Sequence, residues 1–168
     1  MILVKLKLEI NIIVSSIDGN LKRKKIHELQ HVKSSLMKKK ITEKFLSCTH
    51  SHNYVVVAGS NNNVGIDLEK RYHETQRTQA LSEREQVLAN KYSFTFVWTL
   101  KESIAKLVGC GLSRIDAVVI DKLNSKTGHA FIEDMKHLNF YYKSFSYNGF
   151  ILTCVSDVPI KNIYWRFV

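Results

Sequence analysis

Alternating apolar and polar positions open the chain. From Ile2 to Val14 every second residue is apolar, and lysine, glutamate and asparagine fill most of the positions between them. A period of two is typical of a strand with one buried face. Asp18-Gly19-Asn20 then predicts a turn. Beyond the turn, apolar residues recur at helical spacing among many lysines, which predicts an amphipathic basic helix from Leu21 to about Lys40.

The middle of the chain predicts further strands and two consecutive helices. Its predicted elements are one or two strands over residues 45–59, a turn over 61–63, a strand over 64–69, and helices over 82–92 and about 94–108. Ser82 and Glu85 have the spacing of a capping box at the start of the first of these helices. Gly109 and Gly111 mark the end of the second helix.

The last third of the chain returns to strand patterns. Strands are predicted over residues 115–120, 138–147 and 150–156, and Asn148-Gly149 supplies a hairpin turn between the last two. A strand–helix–strand order is therefore followed by a strand–helices–strands order. This arrangement predicts an α+β fold and hints at two related halves, although no internal repeat is visible.

Composition narrows the class of protein. A chain of 168 residues with 45% apolar and 24% charged residues suits about one globular domain and excludes disorder. No apolar run approaches the roughly 18 residues that span a bilayer. The first residues carry charges within their apolar stretch, unlike a signal peptide. Cys48, Cys110 and Cys154 are far apart and are expected to be free thiols. We therefore expect a cytoplasmic protein.

The charge balance favours an anionic partner. Lysine and arginine number 25 against 15 acidic residues, a net charge of +10. The basic runs Lys22–Lys25 and Lys38–Lys40 are solvated helix faces, contacts to a nucleic-acid backbone or a site for a phosphorylated ligand. No aromatic residues interleave with these runs, and neither belongs to a recognisable nucleic-acid module.

Two pairs of charged residues have spacings that bring them together. Asp67 and Glu69 lie on the same face of a strand, where they face water or share a cation such as Mg²⁺. Glu102 and Lys106 are neighbours at i, i+4 on a helix, which in isolation is a surface ion pair.

The segment Cys48-Thr49-His50-Ser51-His52 has two interpretations. In an extended chain Cys48, His50 and His52 share one face and could form the transition-metal site of a hydrolase. Alternatively His50, flanked by the hydroxyl groups of Thr49 and Ser51, donates a hydrogen bond to a phosphate.

Three of these segments, in this order and spacing, resemble the 4′-phosphopantetheinyl transferase superfamily. They are Ser47–Ser51, Val64–Lys70 and Phe96–Gly109. The resemblance is closest to the surfactin-synthetase-activating type, with a shortened N-terminal half. It implies one transferase domain over residues 1–168, with pseudo-symmetric halves of about 1–63 and 64–168. Each half would hold a helix or helices on a small, mainly antiparallel sheet.

The resemblance also implies a reaction and its residues. The phosphopantetheine arm of coenzyme A would pass to a serine of an acyl or peptidyl carrier protein, releasing adenosine 3′,5′-bisphosphate. The matching positions are Asp67, Glu69 and Glu102 for Mg²⁺, Lys106 for the pyrophosphate, Thr49 and His50 for a coenzyme A phosphate, and Glu85 for the serine proton. For Glu85 the capping box remains an equal alternative.

The resemblance does not assign the residues of the shortened N-terminal half that bind coenzyme A. One of Lys22, Arg23, Lys24 or Lys39 is expected to reach the 3′-phosphate of coenzyme A. The basic surface suits an acidic carrier protein. We expect no nucleic-acid or membrane partner, and two halves in one chain favour a monomer.

Overall fold

A computed structural model describes residues 8–71, 80–132 and 135–168. Residues 2–7 of the first predicted strand lie outside the described ranges. The elements, in chain order, are β1 Leu8–Ser16, α1 Arg23–Lys38, β2 Phe45–Ser51, β3 Tyr54–Ser60, β4 Val64–Lys70, α2 Glu83–Lys91, α3 Phe94–Val108, a 3₁₀ segment Leu112–Ala117, β5 Val118–Leu123, β6 Thr127–Ile132, β7 Met135–Tyr147, β8 Phe150–Ser156 and β9 Ile160–Phe167. The α+β class predicted from the sequence is confirmed.

The strands form two sheets. The first has the order β2-β3-β1-β9 and the second the order β4-β8-β7-β6-β5. Neighbouring strands are antiparallel except for β9, which runs parallel to β1. The first sheet therefore contains a strand that comes from the C-terminal end of the chain. Two small, mainly antiparallel sheets with helices agree with the sequence prediction.

Apolar clusters place the core on both sides of each sheet. Between the sheets, Ile10 and Val56 of the first sheet pack with Ile66 and Cys154 of the second. Helix α1 packs against the outer face of the first sheet through residues that include Met37. Helices α2 and α3 cover the outer face of the second sheet. Alternate side chains of one strand can serve both clusters because they point to opposite faces.

The second half differs from the predicted pattern at four strands. Strand β5 begins at Val118 and not at residue 115, because a 3₁₀ segment ends at Ala117. Strand β7 begins at Met135, three residues earlier than predicted. Strands β6 and β9 were not predicted. Strand β6 has too few apolar positions for its sequence to predict a strand. One of its buried positions is Gly128, where a Cβ atom would lie 2.4 Å from Cζ of Phe140.

No helix within the described ranges has both the length and the apolar character needed to cross a membrane.

Candidate active site

Close packing of β4 against α3 brings the acidic residues together. A Cβ atom on Gly65 would lie 1.9 Å from the backbone oxygen of Ser103, so glycine is required where the strand passes under the helix. Asp67 and Glu69 follow on β4, and Glu102 lies on α3. One carboxylate oxygen of each of these three residues lies within 4.8 Å of the others. The structure therefore joins the two sequence segments that carried the predicted carboxylates.

This acidic cluster has the properties of a cation site. Asp67 is buried, and its Oδ2 atom has no hydrogen-bond partner among the described residues. Burial, together with the neighbouring charge of Asp67, raises the pKa of Glu102 to about 8. Carboxylates that are desolvated side by side destabilise one another unless a cation joins them. Oxygen ligands of this kind suit Mg²⁺, so the residues present fit the predicted ion.

Lys106 belongs to the same cluster. Its Nζ atom lies 2.7 Å from Oδ1 of Asp67 and donates to the backbone oxygen of Ile66 at 3.1 Å. Its distance to Oε2 of Glu102 is 4.0 Å. The predicted i, i+4 pair of Glu102 and Lys106 is therefore present, but it belongs to a larger cluster, because the shorter contact of Lys106 crosses from α3 to β4. The ammonium group lies beside the acidic cluster. There it can contact an anionic ligand that binds to a cation held by the cluster.

Hydroxyl side chains of β2 join the edges of the two sheets. The Oγ atom of Ser47 accepts a hydrogen bond from the backbone nitrogen of Ile66 at 3.1 Å. The Oγ1 atom of Thr49 accepts one from the backbone nitrogen of Leu68 at 3.3 Å. Among the described residues no strand pairs with β4 on that side, so these bonds satisfy backbone donors that would otherwise lack a partner in the sheet. Hydroxyl groups at i and i+2 on a strand point to one face, which is why two of them reach the same neighbour.

The same hydroxyl groups also support the acidic cluster. Thr49 donates from Oγ1 to Oδ1 of Asp67 at 2.9 Å, and Ser51 donates from Oγ to Oε2 of Glu69 at 3.4 Å. Thr49 is only 5% exposed. The expectation that Thr49 contacts coenzyme A stays a prediction, and in this structure its hydroxyl group is bonded to the cluster and to β4.

His50 and His52 point to different surroundings. His50 is exposed on β2 beside α1, and burial of part of its ring lowers its pKa. His52 lies in the turn after β2 with a φ of 53°, and its ring packs edge-on to Phe150 with centroids 5.6 Å apart. Because the strand ends at Ser51, the predicted shared face of Cys48, His50 and His52 is interrupted. These residues do not form a common ligand set among the described residues.

The start of α1 lies near this turn. Lys22 precedes the helix as its N-cap residue, and Arg23 is the first helical residue. The pKa of His52 is lowered by burial and then by the positive charges of Lys70 and Arg23. Gln30 of α1 donates from Nε2 to the backbone oxygen of His52 at 2.6 Å. The helix therefore brings its basic first turn toward the β2–β3 turn that follows His50.

Glu85 is fully buried and bonded on both oxygens. The predicted capping box is confirmed, since Oε2 accepts from the backbone nitrogen of Ser82 at 2.9 Å and the Oγ atom of Ser82 accepts from the backbone nitrogen of Glu85. Oε2 also pairs with Nζ of Lys101 at 2.8 Å, and Oε1 accepts from the backbone nitrogen of Ile120 at 3.1 Å. The geometry supports the structural interpretation of Glu85 over that of a proton acceptor.

Two features were missed by the sequence interpretation. Lys101 is only 2% exposed, and its ammonium group pairs with Glu85. Nothing local in the sequence marks such a pair, because its partner lies on another helix. His27 and His31 of α1 lie beside His50. Their i, i+4 spacing within His27-Glu-Leu-Gln-His31 was a signal that could have found them.

Comparison with known families identifies the protein. Residues 63–155 match the family described as the 4′-phosphopantetheinyl transferase superfamily, a segment that covers more than half of the chain and contains the acidic cluster and Lys106. The chain belongs to this superfamily. Comparison with curated proteins gives no match. Members of the superfamily transfer phosphopantetheine from coenzyme A to carrier proteins, so the chain is a 4′-phosphopantetheinyl transferase.

Proposed function

We propose that this transferase converts an apo acyl or peptidyl carrier protein to its holo form in a Mg²⁺-dependent reaction. Coenzyme A is the donor, a carrier serine is the acceptor, and adenosine 3′,5′-bisphosphate is the product that leaves. The observation that carries the proposal is the acidic cluster of Asp67, Glu69 and Glu102, with the ammonium group of Lys106 beside Asp67.

The chemistry explains why these groups are needed together. The serine oxygen forms a bond to the arm-side phosphorus of the pyrophosphate, and the bond from this phosphorus to the bridging oxygen breaks. Negative charge develops on the phosphate oxygens during this displacement. When bound to the acidic cluster, Mg²⁺ would neutralise part of this charge. Lys106 would stabilise the negatively charged pyrophosphate through its ammonium group. This group is a fixed cation that needs no reorganisation during the reaction.

The residues of β2 and α1 would bind the rest of coenzyme A. His50 is exposed on β2. Burial of part of its ring lowers the pKa of His50, and the positive charge of Lys106 makes a smaller contribution in the same direction. We infer that a coenzyme A phosphate near Lys106 accepts a hydrogen bond from His50. Lys22 and Arg23 are candidates for the 3′-phosphate, because they start the helix that packs beside this histidine.

The serine proton is not assigned to Glu85. Each oxygen of Glu85 already accepts a hydrogen bond from the protein, and its side chain has 0% exposure. Release of the proton to solvent leaves the capping box and the Lys101 pair intact. This assignment makes Glu85 a residue that stabilises the protein.

Net charge supports an acidic carrier protein as partner. The chain carries +10, and an oppositely charged carrier would be steered toward it at long range. Two sheets within one chain supply the acidic cluster and the residues proposed to bind coenzyme A, and we propose that the enzyme is a monomer. We place this activity in the cytoplasm.

The decisive experiment is transfer in a defined mixture. The protein is incubated with coenzyme A, Mg²⁺ and an apo carrier protein, and mass spectrometry detects the phosphopantetheine adduct. Asp67→Asn, which is isosteric but removes a ligand charge, should abolish the adduct, and Asp121→Asn on β5 should not. An adduct that forms equally with chelator in place of Mg²⁺ would contradict the metal part of the proposal. No adduct on any carrier protein would contradict the proposed function.

A further inference from the structure

Three histidines from two elements meet at the surface beside the proposed active site. His27 and His31 lie one turn apart on α1, and His50 lies on β2. Their ring centroids are separated by 4.5 Å for His27 and His31 and by 6.0 Å from each of these to His50. One ring nitrogen of each lies within 4.8 Å of the others. All three side chains are exposed.

The spacing of the nitrogens suits a tetrahedral metal ion. The Nε2 atoms of His27 and His31 are 3.3 Å apart. Two nitrogens bound to one Zn²⁺ at 2.0–2.1 Å with a tetrahedral angle are about 3.3 Å apart. Two histidines separated by three residues on a helix are also a recurrent zinc-binding arrangement. The third ligand comes from a different element, as in sites that three histidines form with one open position for water.

The local electrostatics favour a metal ion over an anion at these rings. A single neutral ring can donate one N–H group to a phosphate, but attraction of an anion by the charge of all three rings would require imidazolium forms, and three such charges at this separation repel one another. Burial lowers the pKa of His50, and the positive charge of Lys106 lowers it further, which favours the neutral form of His50. The neutral imidazole is the form that binds a metal ion.

We propose that His27, His31 and His50 form a binding site for a borderline transition-metal ion such as Zn²⁺, and that the bound ion withdraws His50 from coenzyme A. The first part stands on the geometry of the three rings. The second part rests on the proposed function, in which His50 contacts a phosphate of coenzyme A. The site would make phosphopantetheine transfer sensitive to free zinc.

The histidine site differs from the acidic cluster in its ligand chemistry. Imidazole nitrogens prefer Zn²⁺, Cu²⁺ and Ni²⁺, whereas carboxylate oxygens prefer Mg²⁺. The two sites therefore select different ions although His50 follows Thr49, whose hydroxyl group supports the acidic cluster. Each site can be filled independently in an experiment.

The metal site is tested by optical titration with Co²⁺ as the probe. Millimolar Mg²⁺ fills the acidic cluster throughout, and visible absorption reports tetrahedral Co²⁺, which Zn²⁺ should displace. Wild type should bind about one Co²⁺ per chain. His27→Ala and His31→Ala should each weaken binding by at least about tenfold, as loss of one ligand in three predicts. His129→Ala on β6 and Cys48→Ser on β2 are matched controls that should bind like wild type.

The coupling is tested separately by calorimetry with S-methyl coenzyme A, whose blocked thiol does not compete for the metal. Zn²⁺ should weaken its binding to wild type and leave its binding to His27→Ala unchanged. Absence of Co²⁺ binding, or equal binding by wild type and the His27 and His31 variants, would overturn the metal site. If Co²⁺ binds but Zn²⁺ does not change the affinity for S-methyl coenzyme A, the coupling is overturned. If the proposed function itself fails, S-methyl coenzyme A does not bind in the absence of Zn²⁺, while the Co²⁺ titration is unaffected.

Discussion

The protonation state of Glu102 depends strongly on its surroundings in the acidic cluster. Burial and the nearby charge of Asp67 raise the pKa of Glu102 to about 8, so at neutral pH without a cation its carboxyl group is largely protonated. A divalent ion needs the ionised form. Binding at pH 7 therefore has to release a proton, and this requirement disappears once the pH exceeds the pKa.

We therefore predict that Mg²⁺ affinity rises with pH up to about pH 8 and then levels off. The sign follows from the raised pKa, because below it the proton competes with the ion. Titration calorimetry in two buffers of different ionisation enthalpy measures the released proton. Glu102→Gln should bind Mg²⁺ more weakly and lose this pH dependence. Affinity that is flat across the range would contradict the role of Glu102 as a ligand with a raised pKa.

Lys106 pairs most closely with a different carboxylate of the acidic cluster, that of Asp67. Replacement of Lys106 by methionine keeps much of its length and removes the ammonium group that lies 2.7 Å from Oδ1 of Asp67. Turnover should fall by about 10²–10³-fold, the range for loss of one group that stabilises developing charge. Mg²⁺ affinity should not fall, since a competing cation has been removed. Steady-state kinetics and calorimetry measure these two effects.

The control for this variant is Lys122→Met, which changes an exposed lysine on β5. It should leave turnover unchanged. If Lys106→Met also kept wild-type turnover and lost only a little thermal stability, Lys106 would be an ordinary ion-pair residue.

At the level of elements, Glu85 ties α2 to α3 and β5. It caps α2, pairs with Lys101 of α3 and accepts a hydrogen bond from the backbone of Ile120 on β5. The pair is buried on both sides, with 0% exposure for Glu85 and 2% for Lys101. Since α3 also carries Glu102 and Lys106, this pair fixes the helix that supplies part of the proposed active site.

Glu85→Gln should therefore destabilise the protein by about 3–5 kcal/mol, because it leaves a buried ammonium group without its countercharge. The capping box alone predicts little change, since glutamine can replace glutamate there. Urea unfolding measures the difference, and the double variant Glu85→Gln, Lys101→Met should recover much of the loss. A stable Glu85→Gln protein with turnover reduced by about 10²–10⁴-fold would instead indicate general base catalysis.

Local patterns explain which elements could be predicted. Strand β4 and helix α3 each have a clear period, so both elements could be predicted from the chain, whereas the joining of Glu102 with Asp67 and Glu69 into one metal set came from the family resemblance. Strand β9 could not, because it is stabilised by pairing with β1 from the opposite end of the sequence. The same reason hid the burial of Lys101, whose partner lies sixteen positions away on another helix. Contacts between elements decided each of these cases.

At the scale of the whole molecule, the proposed active site lies where the two sheets meet edge to edge. Strand β2 of the first sheet supports the acidic cluster of the second through Thr49 and Ser51. A separate apolar cluster fills the space between the sheets, with Ile10 and Val56 from one and Ile66 and Leu152 from the other. Separation of the sheets would expose this cluster and also remove the hydroxyl groups from the carboxylates.

The two sheets should therefore unfold together. The chain has two tryptophans, Trp98 on α3 and Trp165 on β9 of the first sheet. Trp98→Phe therefore leaves a fluorescent reporter in the first sheet, and Trp165→Phe leaves one on the helix that packs on the second sheet. In each variant, the urea transition followed by fluorescence should coincide with that followed by far-ultraviolet circular dichroism, as expected for one cooperative unit. The comparison is made within a variant, so any stability change caused by the substitution affects both probes equally. If the Trp165 signal in Trp98→Phe changed at lower urea than the circular dichroism, the first sheet would unfold independently, and the apolar cluster between the sheets would not couple the halves.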